Sequence, residues 1–128
     1  MEQKIILLII DDDPNVCASI KRDLEHTQRY IVHEANSGAA GFALACNVLP
    51  DIIVLDMMMP MMTGAECSRL LREEPLTTHI PVIYLTGMMS KADANAYDGM
   101  IDGERYLAKP ACIKEIMSAV ELELAKRG

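Results

Sequence analysis

The 128-residue sequence has no long hydrophobic run. Its longest uninterrupted apolar segment is Ile5–Ile10, whereas a membrane-spanning helix needs about 20 apolar residues. It has no basic excess either. The formal net charge is −7, the wrong sign for a surface that must neutralise phosphates, which argues against direct nucleic-acid binding by this chain. The N-terminus lacks the basic, apolar and small-residue succession of a signal peptide. These absences set the expectation of a soluble, cytoplasmic protein without a membrane partner. Cys17, Cys46, Cys67 and Cys112 form no C-x-x-C pair and each falls in a predicted helix, so they read as reduced, small apolar residues. His26, His33 and His79 lack metal-ligand spacing and read as surface or loop residues. No low-complexity segment, long linker or internal repeat interrupts the chain.

What is present points to one folded unit. Hydrophobic residues make up 51%, too many for a disordered chain. The length suits a single domain, expected to span residues 1–128, with one sizeable core. Apolar runs at Ile5–Ile10, Tyr30–Val32, Ile52–Leu55, Val82–Leu85 and Tyr106–Ala108 alternate with helical patterns. Several are continuous rather than alternating, as strands covered on both faces are. Between them stand helix signals. Asp13-Pro14 reads as an N-cap and first-turn proline before Val16, Ile20 and Leu24. Ser37 opens a helix with Ala40 and Leu44. Thr63-Gly64-Ala65-Glu66 is a capping box, with Cys67, Leu70 and Leu71 inward. Ser90 caps a weakly patterned, alanine-rich fourth helix. In the last helix Ile113, Ile116, Met117, Val120 and Leu124 share one face, and Leu122 lies opposite, pointing to a contact beyond this domain. Five βα units in succession predict an α/β fold, a doubly wound (βα)5 parallel sheet.

In such sheets functional groups gather where strands end. Here the first strand ends in Asp11-Asp12, the third in Asp56, the fourth in Thr86, and the fifth is followed by Lys109-Pro110. Converging carboxylates repel unless neutralised, and an oxygen-rich set favours a hard cation such as Mg2+, which keeps waters and phosphate oxygens among its ligands. Mn2+ could substitute. Lys109 supplies a point charge suited to phosphate.

These motifs are Ile9-Ile10-Asp11-Asp12-Asp13-Pro14, Asp56-Met57-Met58-Met59-Pro60-Met61-Met62-Thr63-Gly64, Ile80-Pro81-Val82-Ile83-Tyr84-Leu85-Thr86-Gly87 and Tyr106-Leu107-Ala108-Lys109-Pro110. In this order the chain resembles, over practically its whole length, the receiver domain of two-component response regulators. The resemblance implies a flavodoxin-like strand order 2-1-3-4-5. It implies that Asp56 accepts a phosphoryl group from a sensor histidine kinase or histidine phosphotransfer protein. It further implies that Asp12, Asp56 and the Met58 backbone carbonyl bind magnesium directly, and that Asp11 acts mainly through water. Lys109 contacts the phosphoryl group, Thr86 bonds it after transfer, and Tyr106 moves with Thr86. The Lys109–Pro110 bond is expected to be cis. The surface around the fourth helix, fifth strand and fifth helix would then act on a partner or a linked output domain, with phosphorylation-dependent dimerisation as one form of output. Two positions depart from the family pattern. Gly87 stands where alanine is frequent, and Ala111 where phenylalanine commonly follows Lys-Pro, which loosens the start of the last helix.

Met58 and Met88 occupy the positions two beyond the phosphoacceptor and two beyond the threonine, which border the attacking water's path in the family. Methionine hydrogen-bonds weakly there, so slow self-dephosphorylation is expected. The five methionines among residues 57–62 also invite a soft-metal reading, Cu(I), but packing accounts for them better. A magnesium-dependent phosphatase of the haloacid-dehalogenase type is the competing class. It needs an acid two residues after the nucleophile, and here that residue is Met58. A third class, a protein-binding pseudo-receiver that is never phosphorylated, fits poorly with a complete reactive set.

Overall fold

Strands buried on both faces read as unbroken apolar runs, and the runs found in the sequence become the middle of one sheet. The computed structural model describes residues 3–96 and 99–126. Its elements follow in the order β1 (Ile5–Ile10), α1 (Pro14–His26), β2 (Tyr30–Ala35), α2 (Gly38–Val48), β3 (Ile52–Asp56), α3 (Gly64–Glu73), β4 (Val82–Thr86), α4 (Lys91–Ala96), β5 (Met100–Ile101), β6 (Glu104–Ala108) and α5 (Ile113–Ala125). The sheet order is β2-β1-β3-β4-β6-β5. β2, β1, β3, β4 and β6 are parallel neighbours, and β5 runs antiparallel to β6 at the edge. The expected order is met with one addition, the two-residue strand β5. Residues 97 and 98, which follow α4, lie outside the described residues.

Two apolar layers sandwich the sheet. On one face Leu7, Ile9, Val54, Ile83 and Leu85 pack against Cys17, Ile20 and Leu24 of α1 and Ile116, Ala119 and Val120 of α5. On the other, Leu8, Ile10, Ile53, Leu55 and Tyr84 pack against Ala45 of α2 and Cys67 and Leu71 of α3. The caps form as their residue types dictate. Asp13 accepts from the Asn15 amide at 2.9 Å, Ser37 from Ala40 at 3.1 Å, and Thr63 and Glu66 make a reciprocal box.

Several side chains lie elsewhere than the sequence suggested. α2 buries Gly38, Gly41 and Ala45 rather than Ala40. A Cβ on Gly41 would stand 2.5 Å from the Ile10 side chain, so glycine lets this helix ride close on β1. Cys112 precedes α5 as its exposed N-cap residue, outside the helix. His33 is a half-buried strand residue in β2. Among the clustered methionines, Met57, Met59 and Met62 pack in the core layer while Met58 and Met61 are exposed, so the cluster mostly fills space. No helix among the described residues is long and apolar enough to cross a membrane.

Candidate functional site

Strand register decides which side chains meet. Ile10 pairs with Leu55, Asp56 with Leu85, and Thr86 with Ala108. One step past these pairs the chain supplies Asp11 beside Asp56, Thr86 after Leu85, and Lys109 after Ala108. Backbone bonds continue the ladder across the strand ends: Asp11 N–H donates to Ala35 O at 3.1 Å, Met57 N–H to Leu85 O at 2.9 Å, and Lys109 N–H to Thr86 O at 2.9 Å. The Lys109–Pro110 peptide is cis. Gly64 closes the loop after β3. Its N–H donates to Met57 O at 3.0 Å, and a Cβ there would stand 2.5 Å from Asp56 O.

The carboxylates of Asp11, Asp12 and Asp56 each present an oxygen within 4.8 Å of the others. Asp11 and Asp56 are buried and Asp12 is exposed. Lys109 Nζ lies 3.0 Å from Asp11 Oδ2 and 3.3 Å from Asp56 Oδ1. Asp11 Oδ1 accepts the Asp13 amide at 2.9 Å, whereas its buried Oδ2 accepts no hydrogen bond of good geometry. An oxygen-only donor set whose buried Asp11 Oδ2 is met by the Lys109 ammonium fits a hard divalent cation.

Burial pushes the Asp56 carboxyl above the ordinary carboxylate range and Asp11 adds to the push, while the Met58 amide and Lys109 pull it back. Burial pulls the Lys109 ammonium down, but its contacts with Asp11 and Asp56 outweigh this and hold it above the usual lysine value. The pocket therefore keeps a charged lysine among its acids at neutral pH.

Two amides complete the frame: Met58 N–H donates to Asp56 Oδ1 at 3.2 Å, and Met88 N–H to Thr86 Oγ1 at 3.1 Å. Met58 and Met88 are 62% and 81% exposed, so neither is packed over the carboxylate. Tyr106 is half-buried and stacks on Tyr84, with ring centroids 5.1 Å apart.

Some neighbours of the site were not legible from the sequence. Lys91, which opens α4, donates to Pro110 O at 2.7 Å and to Glu115 at 2.5 Å, tying α4 to the loop before α5. Asn36 donates to Asp11 O at 3.0 Å, and the Cys17 thiol lies 3.5 Å from the same oxygen. Burial pushes that thiol up to about 12, and burial pushes the Cys67 thiol up to about 11, so both stay protonated and unreactive. The signals for Lys91 are weak, since nothing in a lone exposed lysine announces a partner 24 residues away.

Comparison with known proteins agrees with this geometry. The family model described as response regulator receiver domain matches residues 7–121. The chain is 36% identical over 121 residues to the DNA-binding dual master transcriptional regulator RpaA of Synechocystis sp., covering 94% of this chain and 49% of that protein. It is 32% identical over 127 residues to histidine kinase P4 of Formosa agariphila, covering 98% of this chain and 9% of that one. The chain thus spans half or less of the length of these curated relatives. Among solved structures, the Francisella response regulator 1452 receiver domain is 28% identical with a TM-score of 0.79, covering 98% of this chain and 100% of that one.

Proposed function

The chain belongs to the response regulator receiver domain family, and on that premise we propose that residues 1–128 act as one receiver module whose phosphoacceptor is Asp56. The observation that supports this most is the convergence at one end of a parallel sheet of three acids and a lysine whose Nζ lies 3.3 Å from Asp56 Oδ1. An Asp56 oxygen attacks the phosphorus of a phosphohistidine on a sensor histidine kinase or histidine phosphotransfer protein. A P–O bond forms as the P–N bond breaks, and the imidazole leaves. Lys109 pairs with the phosphoryl oxygens, and the Met58 amide holds the carboxylate in line.

Asp12 and Asp56 with the Met58 carbonyl, and Asp11 through water, would hold Mg2+, or Mn2+ in its stead. That ion supplies charge neutralisation on the transferring oxygens. After transfer the Thr86 hydroxyl turns to the phosphoryl group, Tyr106 follows it, and the surface of α4, β6 and α5 changes. That surface controls a partner, a second copy of the chain, or a linked output domain.

The module catalyses its own phosphorylation and slow self-dephosphorylation, without turnover of other substrates. A phosphatase reading lacks its proton donor, because Met58 stands two residues after Asp56 and its thioether cannot donate a proton. The discriminating assay combines a generic phosphate ester with the protein and magnesium. Stoichiometric labelling from a high-energy phosphodonor without ester turnover is expected, and sustained ester hydrolysis would sink the reading.

A further inference from the structure

The stacked pair Tyr84–Tyr106 joins the proposed switch to α3. The two residues pair in register on β4 and β6, and their rings lie 5.1 Å apart at an interplanar angle of 27°, within the range of favourable aromatic contacts. Tyr84 is 4% exposed, and its hydroxyl lies 2.5 Å from Ser68 Oγ and 3.4 Å from Arg72 Nη2, both on α3. Arg72 also pairs with Glu104, two residues before Tyr106 on β6. These residues wall a groove of about 330 Å³ between α3 and the two strands. Nothing in the phosphoacceptor chemistry uses them.

Tyr84 and Thr86 project from the same face of β4, two residues and roughly 6.6 Å apart along the strand. Thr86 Oγ1 here accepts the Met88 amide, so its hydroxyl is engaged with its own loop. A Tyr106 ring that moved beside Thr86 would have to slide along β4 by about that spacing. It could not keep a 5.1 Å stack on Tyr84, and Tyr84 cannot follow because α3 pins its hydroxyl. The stack therefore belongs to the arrangement seen here and opposes the other.

We infer that Tyr84 is a positioning residue of the switch, one that holds Tyr106 in the unswitched orientation through ring stacking and is itself held by Ser68 and Arg72. This rests on the proposed Thr86–Tyr106 coupling. A ligand can shift a two-state equilibrium only by its preference for one state. Weakening the opposing state must therefore raise the apparent affinity for a phosphoryl mimic.

The test is titration of the full chain with beryllofluoride and magnesium, with ring signals of Tyr106 followed by NMR. Tyr84→Leu, which removes the ring, is expected to bind roughly 2- to 10-fold more tightly, the span an aromatic pair of this kind is worth. Its free form should show Tyr106 signals displaced toward those of the bound wild type. Tyr84→Phe keeps the ring and loses only the Ser68 and Arg72 bonds, so it should fall between wild type and Tyr84→Leu. It also carries the test should the leucine variant not fold. General structural damage would lower affinity rather than raise it. Unchanged or weaker binding in the folded variants, against a responsive wild type, overturns this inference alone. A wild type that gives no beryllofluoride response overturns the phosphoacceptor reading and this inference with it.

Discussion

The ammonium of Lys109 stands 3.0 Å from Asp11 Oδ2, a buried carboxylate oxygen without a hydrogen bond of good geometry. Lysine therefore does, in the protein alone, part of the neutralising that a cation would do. Lys109→Ala leaves buried acids facing one another. It should destabilise the metal-free protein by about 1–3 kcal/mol at neutral pH. Magnesium should restore more stability to the variant than to wild type, and labelling of Asp56 should slow. Melting curves in chelator and in magnesium check this. Equal magnesium stabilisation of both proteins would show that lysine and cation do not share the pocket.

Gly64 is the tightest point of the loop that carries the Met58 amide. A Cβ there would meet Asp56 O at 2.5 Å and Met57 Cα at 2.7 Å, both backbone atoms that cannot swing aside. Gly64→Ala should cost about 1–3 kcal/mol of stability and weaken magnesium binding together with it. Denaturant unfolding and a metal titration decide the matter. A variant that loses neither would mean the loop tolerates a shift without disturbing the site.

Glu123 and Arg105 form a nearly buried pair at 2.6 Å, with Lys126 3.0 Å from the same carboxylate oxygen. Burial raises the Glu123 pKa, but the bonds to Arg105 and Lys126 outweigh it and hold the group below its ordinary 4.5. A folded-state pKa below the unfolded one gives stability that is complete above the unfolded value and lost as pH falls through the folded value. Glu123→Gln should therefore be less stable by about 1–3 kcal/mol at pH 7. The gap to wild type should narrow as pH falls below the ordinary 4.5 and vanish once pH passes through the lower folded-state value. A gap that stays constant down to pH 3 would remove the charge from the explanation.

Met58 and Met88 give their amides to Asp56 and Thr86 and leave their thioethers largely in solvent. A hydrogen-bonding side chain at either position could orient water toward the phosphoryl group, which methionine does poorly. Met58→Asn, Met88→Glu and the double variant should each lose the label several-fold faster than wild type after the donor is removed. Because both methionines are exposed, the competing outcome is concrete. Unchanged decay in all three would mean that the thioethers have no part in the lifetime.

The strand ends were legible because buried parallel strands write themselves as apolar runs, and a run that stops at Asp11, Asp56 or Thr86 marks its own end. The caps at Asp13, Ser37 and Thr63 were legible for the same local reason. β5 was missed although its turn carries a signal. Asp102 and Gly103 both take positive φ, 52° and 79°, as the two-residue Asp-Gly hairpin requires. A strand of two residues leaves no periodicity to find. The buried Arg105 and the Ser68–Tyr84–Arg72 network were beyond reach, since their partners are brought together only by the packing of α3 and α5 on the sheet. The close approach of α2 to Ile10 rests on Gly41, a residue type of low helix propensity that carries no apolar side chain to mark a buried face.

The central claim is that Asp56 is the phosphoacceptor. Its most direct measurement is mass spectrometry of the protein after a small-molecule phosphodonor and magnesium, with the modified residue mapped by peptide sequencing. One phosphoryl group on Asp56 in wild type, and none on the Asp56→Asn variant, is the predicted result. A phosphoryl group mapped to Asp11 or Asp12, or equal labelling of the Asp56→Asn variant, would contradict it.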